Sequence, residues 1–390
     1  MEKEKRKKKL ERYEKLAKKS IIFKPLVFRN LYKYSSKIRK DGINNHIKKF
    51  TNKGNLTKKE LAYLRRDMAY SKVVYNILYT EYFVYGFKNK SHRIRKSFIA
   101  NPNRQDYFYL LGTSEGQAIL RDKEKAYKIL KKYYKRDLIK IENEKDYEKF
   151  EKYIKKYPVF VKKPVDASFG NGIELIDSSK YKNSKTLFNS LLSEGTFIME
   201  EYIKSDPKMA SLHPESLNTV RIVTYKDENN NVHIHHPFIK IGQGKSFVDN
   251  GGSGGMFALI DPKTGVIITD GKDELNNVYE YHPDTNVKIK GFQIPNWDEA
   301  VEIAKKAALD FPHTRYIGWD VALTIDKGPV IVEGNGKTQF FGQQMTDEIG
   351  KRKSMEKLID YKNLKKKMKD VERWELPPVK YNKENNNTNK

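Results

Sequence analysis

Tyr316 to Gly336 reads YIGWDVALTIDKGPVIVEGNG. Two runs rich in β-branched and aromatic residues, Tyr316 to Thr324 and Pro329 to Glu333, flank Asp326, Lys327 and Gly328, whose turn chemistry predicts a β-hairpin. A two- or four-residue loop centred between Asp326 and Lys327 sets Asp320 opposite Glu333. Period-two alternation then adds Asn335 to the same face. A three-residue loop ending at Gly328 would shift the register and turn Asp320 to the other face. Opposed carboxylates repel by roughly 4 kcal/mol at about 4 Å with an effective dielectric near 20, so the pair requires a positive partner. Asp, Glu and Asn offer hard oxygen ligands, and without Cys or an adjacent His they favour Mg²⁺ over zinc or copper. The competing reading is a solvated hairpin face that carries its acids by chance.

The 390 residues suffice for a large core divided into two or three lobes. The sequence has no uninterrupted run of about 18 apolar residues with which to span a bilayer, and its charged start lacks the apolar segment of a signal peptide, so a cytoplasmic protein is expected. The absence of cysteine excludes disulfides, thiolate metal sites and cysteine nucleophiles. A formal net charge of +27 points to nucleic acid, an anionic membrane face or an acidic polymer, although abundant Lys, Asn, Ile and Tyr suggest a general residue bias as well. The excess is uneven, since residues 1 to 40 hold 16 Lys or Arg against 4 Glu, a balance of +12.

Residues 2 to 20 are good helix formers almost without an apolar stripe, which predicts a solvated helix or a disordered arm. The sharper reading is contact with a polyanion or with the inner face of a membrane, helped by the apolar residues between Ile21 and Phe28. Leu61 to Phe87 is Tyr-rich and charged, and predicts a helical pair packed on another lobe. Helices follow near Asp122 to Tyr134 and Glu144 to Lys156, with a strand near Leu138 to Ile141 between them. Strands are expected at Asn218 to Tyr225 and Val232 to Ile241, and a hairpin at Met256 to Asp261 with Val266 to Thr269. Trp297 to Phe311 is an amphipathic helix, and Asn385 to Lys390 should be a disordered tail.

Pro158 to Gly172, PVFVKKPVDASFGNG, is a strand ending in Lys-Lys-Pro and followed by a small-residue loop. Such a loop can lie over phosphates through its backbone N–H groups while a strand-end lysine adds a point charge, although an ordinary tight turn reads the same way. In FIMEEYI, Phe197 to Ile203, Glu200 and Glu201 point to opposite faces, so at least one must be exposed or paired. Arg221 and Lys240 both lie mid-strand and need acidic partners; Asp320, Glu333 or a bound phosphate would serve.

Taken in order, Lys-Pro with a Gly-rich loop, Met-Glu-Glu-Tyr-Ile, Asn-Thr-Val-Arg, Asp-Asn with Gly-Gly, Gly-Trp-Asp and Glu-Gly-Asn resemble the ATP-grasp superfamily. Within it the chain is most similar to the ATP-grasp proteins associated with sugar transfer in polysaccharide gene clusters, over roughly residues 75 to 350. The resemblance implies an α+β fold, with two α+β lobes clasping a nucleotide after a basic helical N-terminal region. Its divisions would be a basic, helical and partly disordered arm over 1–60, a helical region over 61–120, a small lobe with the phosphate loop over 121–203, a large lobe with the metal site over 204–350 and a Lys-rich tail over 351–390.

The resemblance also assigns roles. Lys163 and Lys123 would contact ATP phosphates, with Ser168, Gly170 and Gly172 in the loop that closes over them. Glu200, Glu201, Tyr202 and Ile203 form the hinge, where backbone groups of Glu200 and of Tyr202 or Ile203 would bond the adenine edge. Asp320, Glu333 and Asn335 match the magnesium ligands, and Asp206 and Glu215 both qualify as the ribose ligand. Arg221, Lys240, Asn250 and the pair Gly254-Gly255 are similar in order to a stretch of the glutamate ligases that extend protein tails. There the position of Lys240 is commonly arginine, and lysine loses the two-pronged contact with an anion.

The implied activity is ATP-dependent ligation of a carboxylate to an amine through an acylphosphate, using ATP and Mg²⁺. The implied substrates are an amino acid and a uronic acid or amino sugar of a surface polysaccharide or its precursor. An ATP-dependent sugar or glycan kinase, and a polyanion-binding protein with an inert core, are the alternatives. Nucleic acid is not the expected partner.

Overall fold

The computed structural model of the chain describes residues 2–51, 56–165 and 172–367. Its strands are β1 Leu138–Ile141, β2 Val159–Pro164, β3 Glu174–Asp177, β4 Phe197–Glu201, β5 Val220–Lys226, β6 Val232–Ile234, β7 Phe238–Ile241, β8 Met256–Leu259, β9 Gly271–Asp273, β10 Val278–Tyr279, β11 Tyr316–Thr324 and β12 Gly328–Asn335. They form a four-stranded sheet in the order β1-β4-β2-β3 and an eight-stranded sheet in the order β10-β9-β8-β7-β5-β11-β12, with β6 beside β5.

The hairpin β11–β12 is the predicted one, reached by a different route. Thr324 pairs with Gly328, so the loop is the three-residue Ile325-Asp326-Lys327, and Gly328 closes it at a φ of 62°. Uncorrected, that loop would put Val332 opposite Asp320. A bulge between Ile331 and Glu333 absorbs one residue on β12, and Asp320 faces Glu333 after all. The expected two- or four-residue loop is therefore wrong, whereas the pair it served is right.

Every residue of β11 is buried. Ile317, Trp319, Val321 and Leu323 alternate onto the face covered by the helix Trp297–Asp310, whose Ala300, Ala304, Ala307 and Ala308 allow close approach. Trp319 Nε1 donates to Thr224 Oγ1 at 2.9 Å, which satisfies its one donor inside that core. Asp320 belongs to the other face.

In the smaller sheet, Phe160, Ile176, Phe197 and Met199 pack with Phe150 and Phe188 of the helices Tyr147–Lys156 and Ser184–Ser193. The expected strand Val232 to Ile241 is broken into β6 and β7. His236 takes a φ of 45° and Pro237 has no N–H to donate, so the ladder stops between them. The second half of the expected hairpin, Val266 to Thr269, turns back on the first through the bridge Ile260–Ile267 and the bond from Ile268 N to the Leu259 carbonyl at 2.8 Å, but it is not a regular strand, and β8 pairs along its ladder with β9.

The helix Glu2–Lys19 is not simply solvated. Ala17 is buried, and Leu10, Tyr13 and Leu16 pack on a core shared by Val27, Leu31, Ile43 and Ile47. The Tyr-rich stretch forms the helices Lys58–Tyr75 and Tyr79–Val84, the first opened by a Thr57/Glu60 capping box. Tyr70, Tyr75, Tyr82 and Tyr85 are buried in a cluster that includes Phe238, Phe257 and Leu259 of the large sheet, as a helical pair packed on another lobe requires. Within it Arg95 grips Asp67 at 2.8 and 2.7 Å, and Tyr82 donates to the same carboxylate at 2.7 Å. Beyond residue 351, Met355 and Ile359 pack on Val223 and Tyr316. Asn385 to Lys390 lie outside the described residues.

Candidate active site

Three neighbouring strands bring three charged residues into one row. Register pairs Arg221 on β5 with Asp320 on β11, and Asp320 with Glu333 on β12. Arg221 donates from Nε to Asp320 Oδ1 at 2.5 Å and from Nη2 to Oδ2 at 2.8 Å, a two-pronged contact. Its Nη1 reaches Thr338 Oγ1 at 3.2 Å. Gly318 makes room for this arrangement, because a Cβ there would stand 2.4 Å from Thr338 Oγ1 and 2.9 Å from Arg221 Cδ.

Lys240, one strand further along on β7, donates to Asp320 Oδ2 at 3.2 Å, to Asn250 Oδ1 at 3.5 Å, and pairs with Asp249 at 3.4 Å. Asp249 is in turn held by the backbone N and Oγ1 of Thr219, both at 2.6 Å. Burial pushes the Asp320 carboxyl up, but the charges of Arg221 and Lys240 outweigh it and leave the group well below the usual range. Burial likewise opposes the charge on Lys240, and Asp249 and Asp320 raise it above the ordinary lysine value. The mid-strand cations thus have the acidic partners their position demanded.

Asn335 Nδ2 stands 3.2 Å from Glu333 Oε1 and 3.5 Å from Asp320 Oδ2, so the three expected metal ligands share one corner. Glu333 is exposed. A carboxylate open to solvent, a second carboxylate and a carboxamide make a donor set of hard oxygens that fits magnesium.

Across the hinge, Lys163 at the end of β2 donates to Glu200 Oε2 at 2.8 Å, whereas Lys162 turns to the opposite side and pairs with Glu174 at 3.3 Å and with Glu194. Glu200 and Glu201 point apart as expected, and both are paired. Glu201 takes Lys327 from the hairpin loop and the backbone N of Asp137 at 3.1 Å. Glu200 lies inside the ladder, opposite Leu138 on one side and Val161 on the other. Tyr202 and Ile203 follow the last ladder residue. Ile203 packs on Ala322 and Val330, and the Tyr202 ring lies 6.5 Å from that of Phe247.

Arg136 is the residue that the sequence reading missed. Buried between the lobes, it donates from Nε and Nη2 to Glu200 Oε2 at 3.1 and 2.9 Å. It also donates to the carbonyls of Ile331 at 2.7 Å and Val332 at 3.0 Å, which lie at the bulge. One guanidinium thus joins β4, an inner strand of the small sheet, to the irregularity that seats Glu333. Burial raises the Glu200 carboxyl, but Lys163 and Arg136 together bring it down to about 2. In the sequence Arg136 stands among Lys131, Lys132 and Lys135, with nothing in spacing to set it apart.

Lys123 opens the helix Lys123–Tyr134 behind the N-cap Asp122 and is half-buried. Gly172 has a φ of 69°, and a Cβ there would meet Pro164 Cγ at 2.8 Å, so the end of the expected phosphate loop requires glycine. Ser168 and Gly170 lie outside the described residues. Asn250 precedes the turn Gly251–Ser253, and its carbonyl accepts from Gly255 N at 3.1 Å. Asp206 caps the helix Pro207–Ala210, donating from its own backbone N to the Leu323 carbonyl at 2.8 Å.

A four-stranded and an eight-stranded antiparallel sheet, joined through a hinge beside a strand-end lysine and an acid-bearing hairpin, make this an ATP-grasp fold. Residues 103–359 match the sugar-transfer associated ATP-grasp family, and the chain belongs to that family. No curated protein matches it in sequence. Similar solved structures include the ATP-grasp ligase PsnB complexed with minimal precursor, at 12% identity over 59% of this chain and 56% of that one, with a TM-score of 0.37. Others are N5-carboxyaminoimidazole synthetase from Staphylococcus aureus complexed with ADP (14%, 57% and 47%, 0.36) and a Chryseobacterium gregarium RiPP-associated ATP-grasp ligase in complex with ADP and a leader and core peptide (15%, 65% and 63%, 0.38). The chain spans little more than half the length of the first of these.

Proposed function

We propose that the chain is an ATP-dependent carboxylate–amine ligase that modifies a sugar, a polysaccharide or its precursor in cell-surface polysaccharide biosynthesis. The observation that carries the reading is the row Arg221–Asp320–Glu333, with Lys240 and Asn335 on its flanks. Membership of the sugar-transfer associated family supports the substrate class.

A ligase of this kind must hold a polyphosphate and a carboxylate side by side, and two anions in contact need fixed positive charge. Arg221 and Lys240 provide it in a buried setting where they stay protonated. Asp320 orients both and is itself neutralised by them. Lys163, steadied by Glu200, would hold the phosphates from the small lobe, and backbone groups of Tyr202 and Ile203 would meet the adenine edge. Asp320, Glu333 and Asn335 would hold magnesium, which supplies charge neutralisation between the phosphates. An oxygen of the substrate carboxylate attacks the terminal phosphorus, and ADP leaves. The amine then attacks the acyl carbon of the resulting acylphosphate, loses a proton, and phosphate departs with the electron pair of the broken C–O bond. No nucleophile from the protein is needed.

The test is calorimetry of ATP binding with and without Mg²⁺, on the native chain and on Glu333→Gln. Mg²⁺-dependent binding that weakens at least tenfold in the variant is expected. Uronic acids and amino acids are then screened in pairs for ADP release that depends on the amine. Absence of nucleotide binding would overturn the proposal, and ADP release that yields a phosphorylated sugar without any amine would establish a kinase instead.

A further inference from the structure

The turn Ile21–Phe23 and the helix Lys24–Tyr34 show two contrasting faces. Val27 and Leu31 are fully buried among the N-terminal helices, whereas Ile22 is 80% exposed and Leu26 53%. Beside these two protruding side chains runs a groove lined by Ile21, Lys24, Pro25, Phe28, Arg29 and Arg66. Its apolar lining carries three cations and, among the described residues, no acid. Lys24 Nζ lies 5.2 Å from the ring centres of both Phe28 and Tyr70, so its stem and charge are spread over aromatic faces. All of its lining but Arg66 belongs to the segment whose balance is +12 over residues 1 to 40.

A polyanion dissolved in water would use the cations and leave Ile22 and Leu26 idle. A bilayer uses both, because head-group phosphates meet the basic rim while apolar side chains enter the acyl boundary. We infer that this groove seats the protein on an anionic phospholipid surface, with Lys24, Arg29 and Arg66 on the head-group phosphates and Ile22 and Leu26 inserted between the lipids. The interaction is peripheral, and no helix among the described residues is long and apolar enough to cross a membrane. It is independent of the chemistry proposed above.

The full chain is sedimented with vesicles of phosphatidylcholine, with and without phosphatidylglycerol, at low and high salt. Partition onto the phosphatidylglycerol vesicles alone, weakening with salt, is expected. Each cation at such a surface is worth about fivefold in binding, so Arg29→Gln with Arg66→Gln should lower the partition about twenty-fivefold. Ile22→Ser with Leu26→Ser should also lower it, without changing the salt dependence. Both variants change exposed or half-exposed positions, circular dichroism reports their folding, and ATP calorimetry reads the nucleotide site separately. Equal binding to both kinds of vesicle would overturn the inference. So would binding that ignores Ile22→Ser with Leu26→Ser and is competed by soluble polyphosphate, which would identify an anionic polymer as the partner.

Discussion

Replacing Arg136 by methionine removes one charge from three duties at once. Glu200 would keep only Lys163, and the carbonyls of Ile331 and Val332 would each lose a donor inside the protein. Breaking a buried ion pair from one side costs about 3–5 kcal/mol, because the remaining charge stays desolvated. The acid–base balance of Glu200 gives a figure of the same size. Its carboxyl falls from 4.5 to about 2, which corresponds to about 3 kcal/mol at 1.36 kcal/mol per pH unit, shared between Arg136 and Lys163. Urea unfolding at neutral pH should therefore show a loss of about 3–5 kcal/mol in Arg136→Met, and less in Arg136→Lys, which keeps the charge without the fork. The sign of the pH dependence follows from a depressed carboxyl. The stabilisation is whole above pH 4.5 and disappears as pH falls toward 2, so the native and variant curves should converge over that window. A native–variant difference below about 1 kcal/mol at neutral pH, or one that does not shrink in acid, would refute the reasoning.

Asp320→Asn leaves Arg221 and Lys240 facing each other with their shared counter-charge gone, and should abolish Mg²⁺-dependent ATP binding in calorimetry while costing about 3 kcal/mol of stability. Gly318→Ala places a Cβ 2.8 Å from Thr338 Cβ and should cost about 1–3 kcal/mol in thermal unfolding, with turnover falling as Arg221 is pushed from Asp320. Burial raises the Glu81 carboxyl to about 7 despite bonds from Leu78 N and Asn101 N, so its contribution is complete below pH 4.5 and lost as pH rises through 7. Stability should fall by about 3 kcal/mol across that window, and Glu81→Gln should flatten the slope in unfolding curves measured at each pH.

The bulge in β12 shows which part of this site could be read from the residues and which could not. Alternation and the need for counter-charge are local, and they put Glu333 and Asn335 on one face and demand partners for Arg221 and Lys240, whereas the expected turn reaches the pair of Asp320 with Glu333 through the wrong loop. Loop length is also a local matter, yet on period two alone a three-residue loop turns Asp320 to the other face, and nothing local announces the bulge that turns it back. What reconciles the two is Val332, an extra residue whose carbonyl, with that of Ile331, is bonded by Arg136 from nearly 200 positions earlier in the chain. Such a bond leaves no trace in spacing, since any of the neighbouring lysines carries the same charge. The packing of the expected helix Glu2–Lys19 is illegible for a related reason: Leu10, Tyr13, Leu16 and Ala17 are too few to form a visible stripe, and the helices they pack on become neighbours only in the fold. Arg136 thus ties Glu200 on the small sheet to the bulge that sets Glu333 opposite Asp320 on the large one.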